Sequence, residues 1–174
     1  MCTPLEIVEK AINSFNEDEN ELYLIEHGLN ERCICARLAL HITNVLPGTH
    51  YCDYVADVEY NRNAANIKDE KHFKTIEANS KTKGTGRIIV DLIVHKRGEN
   101  PDYNLIYIEM KKAASNEARI SVDEKRLCCL TSQTGNYKYQ LGVMVIVDKA
   151  NRELKIKCIA EDGSTRSYCN SMNE

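Results

Sequence analysis

Leu5, Val8, Ile12 and Phe15 recur at helical spacing. Thr3-Pro4-Leu5-Glu6 has the form of a helix start, with Thr as N-cap, Pro in the first turn and Glu three positions after the cap. A second helix is predicted over 18–27, stopping at Gly28. Asn30 can cap a third, ERCICARLALHITNVL, which ends before Pro47-Gly48. Its core-facing stripe is Glu31, Cys35, Leu38, Ile42 and Val45, so a carboxylate opens a stripe that is otherwise apolar.

The pattern then changes to strands. YVADVEYN (54–61) is read as a first strand. Residues 63–86 are polar and carry Lys68, Lys71, Lys74, Lys81 and Lys83; they predict a long, partly helical excursion. RIIVDLIVHK (87–96) and NLIYIEMKKA (104–113) predict a second and a third strand. A helix follows over 117–131 with Ile120, Leu127 and Leu130 inward. YQLGVMVIVD (139–148) is apolar throughout, as a central strand is. RELKIKCIAED (152–162) alternates and is assigned to an edge, and the polar tail from Gly163 is expected to be loose. This order predicts an α/β domain around a mixed central sheet flanked by helices. It divides into a helical extension over 1–29, a body over 30–162 and a flexible tail over 163–174.

The second and third strands raise a chemical question. A hairpin between them centres near Asn100, with Asp91 nine residues before that point and Glu109 nine after it. The two carboxylates then face each other, and Lys111, two residues on, shares their face. Ile108 and Met110 point the other way. Facing carboxylates repel. Either the lysine neutralises them in a partly buried ion cluster, or they hold a divalent cation. Oxygen ligands suit Mg²⁺, or Mn²⁺ in its place. Lys111 would then orient or help deprotonate a water and offset developing charge.

Composition narrows the classes. The 174 residues suit one domain with a hydrophobic core, and 43% hydrophobic with 28% charged residues is ordinary for a globular chain. No apolar run approaches the roughly 20 residues of a membrane span. Met-Cys-Thr-Pro-Leu-Glu has neither a basic nor an apolar leader pattern, which predicts the cytoplasm. The net charge of -3 is uneven: residues 1–31 carry eight acids and one lysine, and the remaining 143 carry 22 Lys and Arg against 18 acids. The mildly basic body permits a polyanionic partner, and residues 68–87, with six Lys and Arg against three acids, suit backbone phosphates or plain solvation. Eight cysteines without a Cys-x-x-Cys pair read as reduced, mostly buried thiols. The five histidines show no ligand spacing, and no nucleotide loop or nucleophile elbow occurs.

RIIVDLIVHKRG with its aspartate, NLIYIEMKK with its Glu-x-Lys, and Glu31 on the preceding helix together resemble the PD-(D/E)XK nuclease superfamily. The resemblance covers residues 30–148 in the order helix, three strands, helix, strand, and implies a restriction-endonuclease-like core with an N-terminal helical extension. It departs at Val90, where the family pattern has proline. DVEYNR (57–62) and RLCCLT are also similar to small bacterial members. The resemblance implies Asp91, Glu109 and the main-chain carbonyl of Met110 as metal ligands, Lys111 as the catalytic lysine, and Glu31 as a further carboxylate of the site. Glu59, Arg62, Lys112, Lys125 and Tyr139 are the candidate substrate contacts. Asp57 and Glu59 would approach the cluster or pair with Arg62. A solvated helix face is the favoured account of Lys125 and Arg126, and strand-end tyrosines more often only bridge core and solvent. The implied activity is a Mg²⁺-dependent endonuclease acting on DNA, in a defence or mobile-element setting, as a single copy or a homodimer. The alternatives are a catalytically silent nucleic-acid-binding or regulatory module on the same fold, and a structural subunit whose cluster is an ion network.

Overall fold

The computed structural model describes residues 2–59, 75–76, 86–87, 90–97 and 101–168. Three helices come first. α1 (Pro4–Asn16) is closed by a capping box, in which Thr3 Oγ1 accepts from Glu6 N and Glu6 accepts from Thr3 N. α2 (Glu19–Glu26) ends ahead of Gly28, whose φ of 67° favours glycine. α3 (Glu31–Val45) is capped by Asn30, whose side chain accepts from Cys33 N.

β1 (Val55–Val58) is shorter than its sequence pattern suggests, because Glu59 takes a positive φ of 51° and leaves the strand. Of the polar excursion, β2 (Thr75–Ile76) and β3 (Gly86–Arg87) are described, and they pair as a separate antiparallel ladder; the helix expected in part of 63–86 lies outside the described residues. The five lysines of the excursion and Arg62 lie outside the described residues as well. β4 (Leu92–His95), β5 (Asn104–Lys112), α4 (Glu117–Thr131), β6 (Leu141–Asp148), β7 (Glu153–Glu161) and β8 (Ser164–Ser167) complete the chain.

The protein is a mixed α/β fold with a six-stranded sheet in the order β1-β4-β5-β6-β7-β8. β5 and β6 run parallel, joined by the α4 crossover, and every other neighbouring pair is antiparallel. The two parallel strands are covered on both faces. Ile106, Ile108, Met110, Val143, Val145 and Val147 join Ile7, Phe15, Ile25, Leu38 and Ile42 in one core. Tyr107, Met144 and Ile146 join Ile120, Leu127 and Leu130 in another. Strand alternation makes this division, and it turns Glu109 and Lys111 toward α4. At Gly142 a Cβ would lie 3.0 Å from Thr131 and 3.1 Å from Leu127, so glycine lets α4 approach β6 closely. The Asn16 side chain bonds both the N–H and the carbonyl of Leu154, at 2.8 Å each, and ties α1 to β7.

Three expectations need correction. The predicted second strand is not continuous: β4 begins at Leu92, because Asp91 puts its carboxylate on Met110 N at 2.8 Å where a continuing ladder would offer a carbonyl. β7 is not an edge. The hairpin turn at Asp162 (φ 46°) and Gly163 (φ 76°) returns the chain as β8, so residues expected to be loose form the outer strand. Among the described residues the thiols are free but not mostly buried: Cys35 and Cys158 are buried, whereas Cys52 and Cys129 are exposed.

Leu38 is fully buried where α3 meets the sheet. Leu38→Ala should lower unfolding stability by about 2–5 kcal/mol. Val122→Ala, at a position 56% exposed on α4, should stay within about 0.5 kcal/mol of wild type. Urea unfolding of both variants checks this; equal losses would contradict the core assignment.

Candidate active site

The β4–β5 register runs Leu92↔Ile108 and Val94↔Ile106. Carried one residue further, it sets Asp91 opposite Glu109. Asp91 stands at the seam where the two strands separate, half-buried, with Oδ2 accepting from Met110 N at 2.8 Å. Among the described residues its Oδ1 has no hydrogen-bond donor. Glu109 is 2% exposed in the middle of the α4-facing side of β5. Its Oε2 accepts from the buried Tyr107 hydroxyl at 2.5 Å. Its Oε1 accepts from Lys111 Nζ at 3.0 Å and from Arg126 Nη1 at 3.1 Å. Asp123 on α4, 6% exposed, completes the cluster: Lys111 Nζ lies 3.3 Å from Oδ2, and Arg126 Nη1 is 3.0 Å from Oδ1.

Glu31 reaches the same strand end from α3, with Oε1 accepting from Lys112 N at 3.1 Å. Cys35, one turn further along α3, lies between the two groups, its Sγ 3.5 Å from Met110 Sδ. Burial pushes the Cys35 thiol far up, and the Asp91, Glu31 and Glu109 charges push it further. The Lys112 side chain leads outward into a cleft of about 570 Å³ that Asn30, Glu31, Ala114, Ser115 and Asn116 also line.

Electrostatics sets the character of the cluster. Burial raises the Asp91 carboxyl above its ordinary value, with Glu31 and Asp123 adding to the rise against the Met110 N–H and Lys111. Burial likewise raises Glu109, and Asp91 adds to it. Burial pulls Lys111 down, but Glu109, Asp123 and Asp91 outweigh it, so its net shift is upward and the ammonium stays charged at neutral pH. Arg126 follows the same balance.

The donor set fits a hard divalent cation. All its candidate side-chain ligands are carboxylates, and Glu31, Asp91, Glu109 and Asp123 outnumber the Lys111 and Arg126 cations by two. Asp91, Glu109 and the Met110 carbonyl would hold such a cation, with Glu31 beside them. No three of these carboxylates bring ligand atoms within 4.8 Å of one another, so the site as it stands is looser than a closed cage.

Among the described residues, the trio that does converge within 4.8 Å is Asp18, Glu21 and His41. There Arg37 already holds both oxygens of Glu21, His41 bonds Ser14 Oγ at 3.0 Å, and Asp18 caps α2. This cluster ties α1, α2 and α3 together.

Several anticipated contacts are placed elsewhere. Tyr139 is fully buried, its ring 5.8 Å from that of Tyr107, so it is core and not a nucleotide platform. Lys125 is exposed on the far side of α4, while Arg126, one residue on, enters the cluster. Glu59 pairs with Arg32 at 2.5 Å, and Asp57 with His95 at 2.9 Å and with Arg97; Arg62 lies outside the described residues. Asp123 and Tyr107 were missed by the sequence reading, yet both left a signal. Asp123 interrupts the inward stripe of Ile120, Leu127 and Leu130, and Tyr107 precedes Glu109 by two on one strand face.

The raised Asp91 carboxyl has a stability consequence. Its contribution is fully present below 3.8, the ordinary value, and is lost as pH rises through the higher folded value. Asp91→Asn keeps an acceptor for Met110 N but has no charge to bury. Without divalent cations the variant should match wild type below 3.8 and exceed it at neutral pH. Urea unfolding across that range reads the difference; a gap independent of pH would rule out the buried charge.

No protein-family model, no curated protein and no solved structure matches this chain.

Proposed function

We propose that the protein is a metal-dependent nuclease that hydrolyses phosphodiester bonds in DNA, with its site at Asp91, Glu109 and Lys111 on a restriction-endonuclease-like core. The observation that carries the reading is the hairpin register, which gathers an aspartate, a Glu-x-Lys pair and a helix glutamate at one strand end beside an open cleft. The element order α3, β1, β4, β5, α4, β6 is compatible with such a core.

A bound Mg²⁺ or Mn²⁺ would supply charge neutralisation at the phosphate and an acidified water. Asp91 and Glu109 would hold it through their oxygens, with the Met110 carbonyl as a third ligand. Glu31 orients the strand end through Lys112 N. Lys111 acts as a charge that positions the attacking water and offsets negative charge building on the phosphoryl oxygens. Water would attack phosphorus in line as the bond to the bridging oxygen breaks, the water giving up a proton to solvent and the departing oxygen taking one up. The Lys112 side chain and the cleft beside it carry the flanking backbone phosphate. Activity in host defence or on mobile elements, with a homodimer cutting both strands, follows from the same reading.

One observation favours a second reading. Both Glu109 oxygens are already satisfied by Tyr107, Lys111 and Arg126, as in a purely structural ion network. Cleavage separates the two. Plasmid DNA with Mg²⁺, Mn²⁺ or EDTA should be nicked by wild type only with metal, and Lys111→Ala should lose at least about 100-fold in rate while remaining folded. Equal rates for the two proteins, or nicking that survives EDTA, would remove the site from consideration.

A further inference from the structure

The two cations of the cluster are each shared. Lys111 Nζ and Arg126 Nη1 converge on one atom, Glu109 Oε1, at 3.0 and 3.1 Å. Each also touches Asp123, Lys111 on Oδ2 at 3.3 Å and Arg126 on Oδ1 at 3.0 Å. Glu109 Oε2 is tied to the Tyr107 hydroxyl, which is fully buried. Oε1 is therefore the oxygen that can change partners without stranding a buried donor. It is also the oxygen that both cations occupy, so a divalent cation taking Glu109 as a ligand through it has to displace one of them. A guanidinium and a divalent cation repel each other and cannot share it at contact distance.

Asp123 makes an exchange feasible. It is a buried carboxylate on an otherwise apolar helix stripe, a costly arrangement unless cations satisfy it. Arg126 lies three residues from it on the same helix, so the guanidinium can leave Glu109 by a small side-chain rotation and keep its other contact. We propose that Arg126 is the stand-in cation of the unloaded site. It occupies Glu109 Oε1 until a divalent cation displaces it, and Asp123 then holds the displaced guanidinium and the Lys111 ammonium beside the reacting phosphate. Arg126 and Asp123 are thus positioning residues, and metal binding sets Lys111 in its working place. This inference rests on the metal-site reading above.

The test is a Mg²⁺ titration of the full chain followed through the NMR signals of its arginine guanidinium groups, with Mn²⁺ calorimetry of wild type, Arg126→Met and Asp123→Asn. The Arg126 signals should shift with the same midpoint as Mg²⁺ binding and stay sharp. Mn²⁺ should bind Arg126→Met at least about fivefold more tightly than wild type, and Asp123→Asn more weakly by a similar factor. Loss of a positive charge tightens cation binding even at a distance, so the guanidinium signals are the readout of the contact itself. Saturating Mg²⁺ that leaves the Arg126 signals unmoved would overturn the exchange and leave the metal site standing. Failure of both wild type and Arg126→Met to bind either cation would overturn the metal site, and the exchange with it. The wild-type titration needs no variant to fold.

Discussion

A carboxylate that is 2% exposed in the middle of a sheet is the constraint around which this molecule is arranged. An ionised Glu109 left alone there would be strongly unfavourable, and its raised pKa records part of that cost. Three donors offset it: the Tyr107 hydroxyl from the same strand, Lys111 two residues on, and Arg126 from the helix packed against that face. Arg126 reaches it only because α4 crosses over between two parallel strands and lies close to β6 at Gly142. The crossover, the glycine and the ion cluster are parts of one arrangement.

On the other side of the seam, Asp91 does two jobs with one carboxylate. By taking the Met110 N–H it ends the ladder and separates β4 from the strand end of β5. By the same position it faces Glu109 across the strand pair. A buried ion network of this kind is weak support for stability. Its carboxylates outnumber its cations where the sheet opens on a cleft, and that excess is chemically useful to a site that handles a cation and a phosphate.

The helices before the sheet have a clear structural part. Ile7, Val8, Phe15 and Ile25 lie in the same core as the strand residues Ile108 and Val145, and Asn16 bonds the backbone of β7. The acidic surplus of residues 1–31 is absorbed in part by Arg37 on Glu21 and Arg152 on Glu19 and Glu26. Glu31 is the member of that surplus that faces the candidate site.

The sequence by itself determined most of the helices and the core strands, together with the hairpin register. Helical spacing, with Thr3 and Asn30 at the caps of the first and third helices, defines α1, α3 and α4, because capping and amphipathic periodicity are local. The symmetric placement of Asp91 and Glu109 about Asn100 holds in the structure, because an antiparallel register is a matter of counting from the turn. Tertiary structure decided what those residues meet. Which face of α4 lies on the sheet brings Asp123 and Arg126 in and leaves Lys125 out, and sequence gives no distance between a helix and a strand it crosses. The burial of Tyr139 and the pairing of Glu59 with Arg32 are equally products of packing. The extra strand β8 came from a two-residue turn whose polar flanks carry no burial signal, since an exposed outer strand is held by backbone hydrogen bonds that side-chain patterning does not reveal.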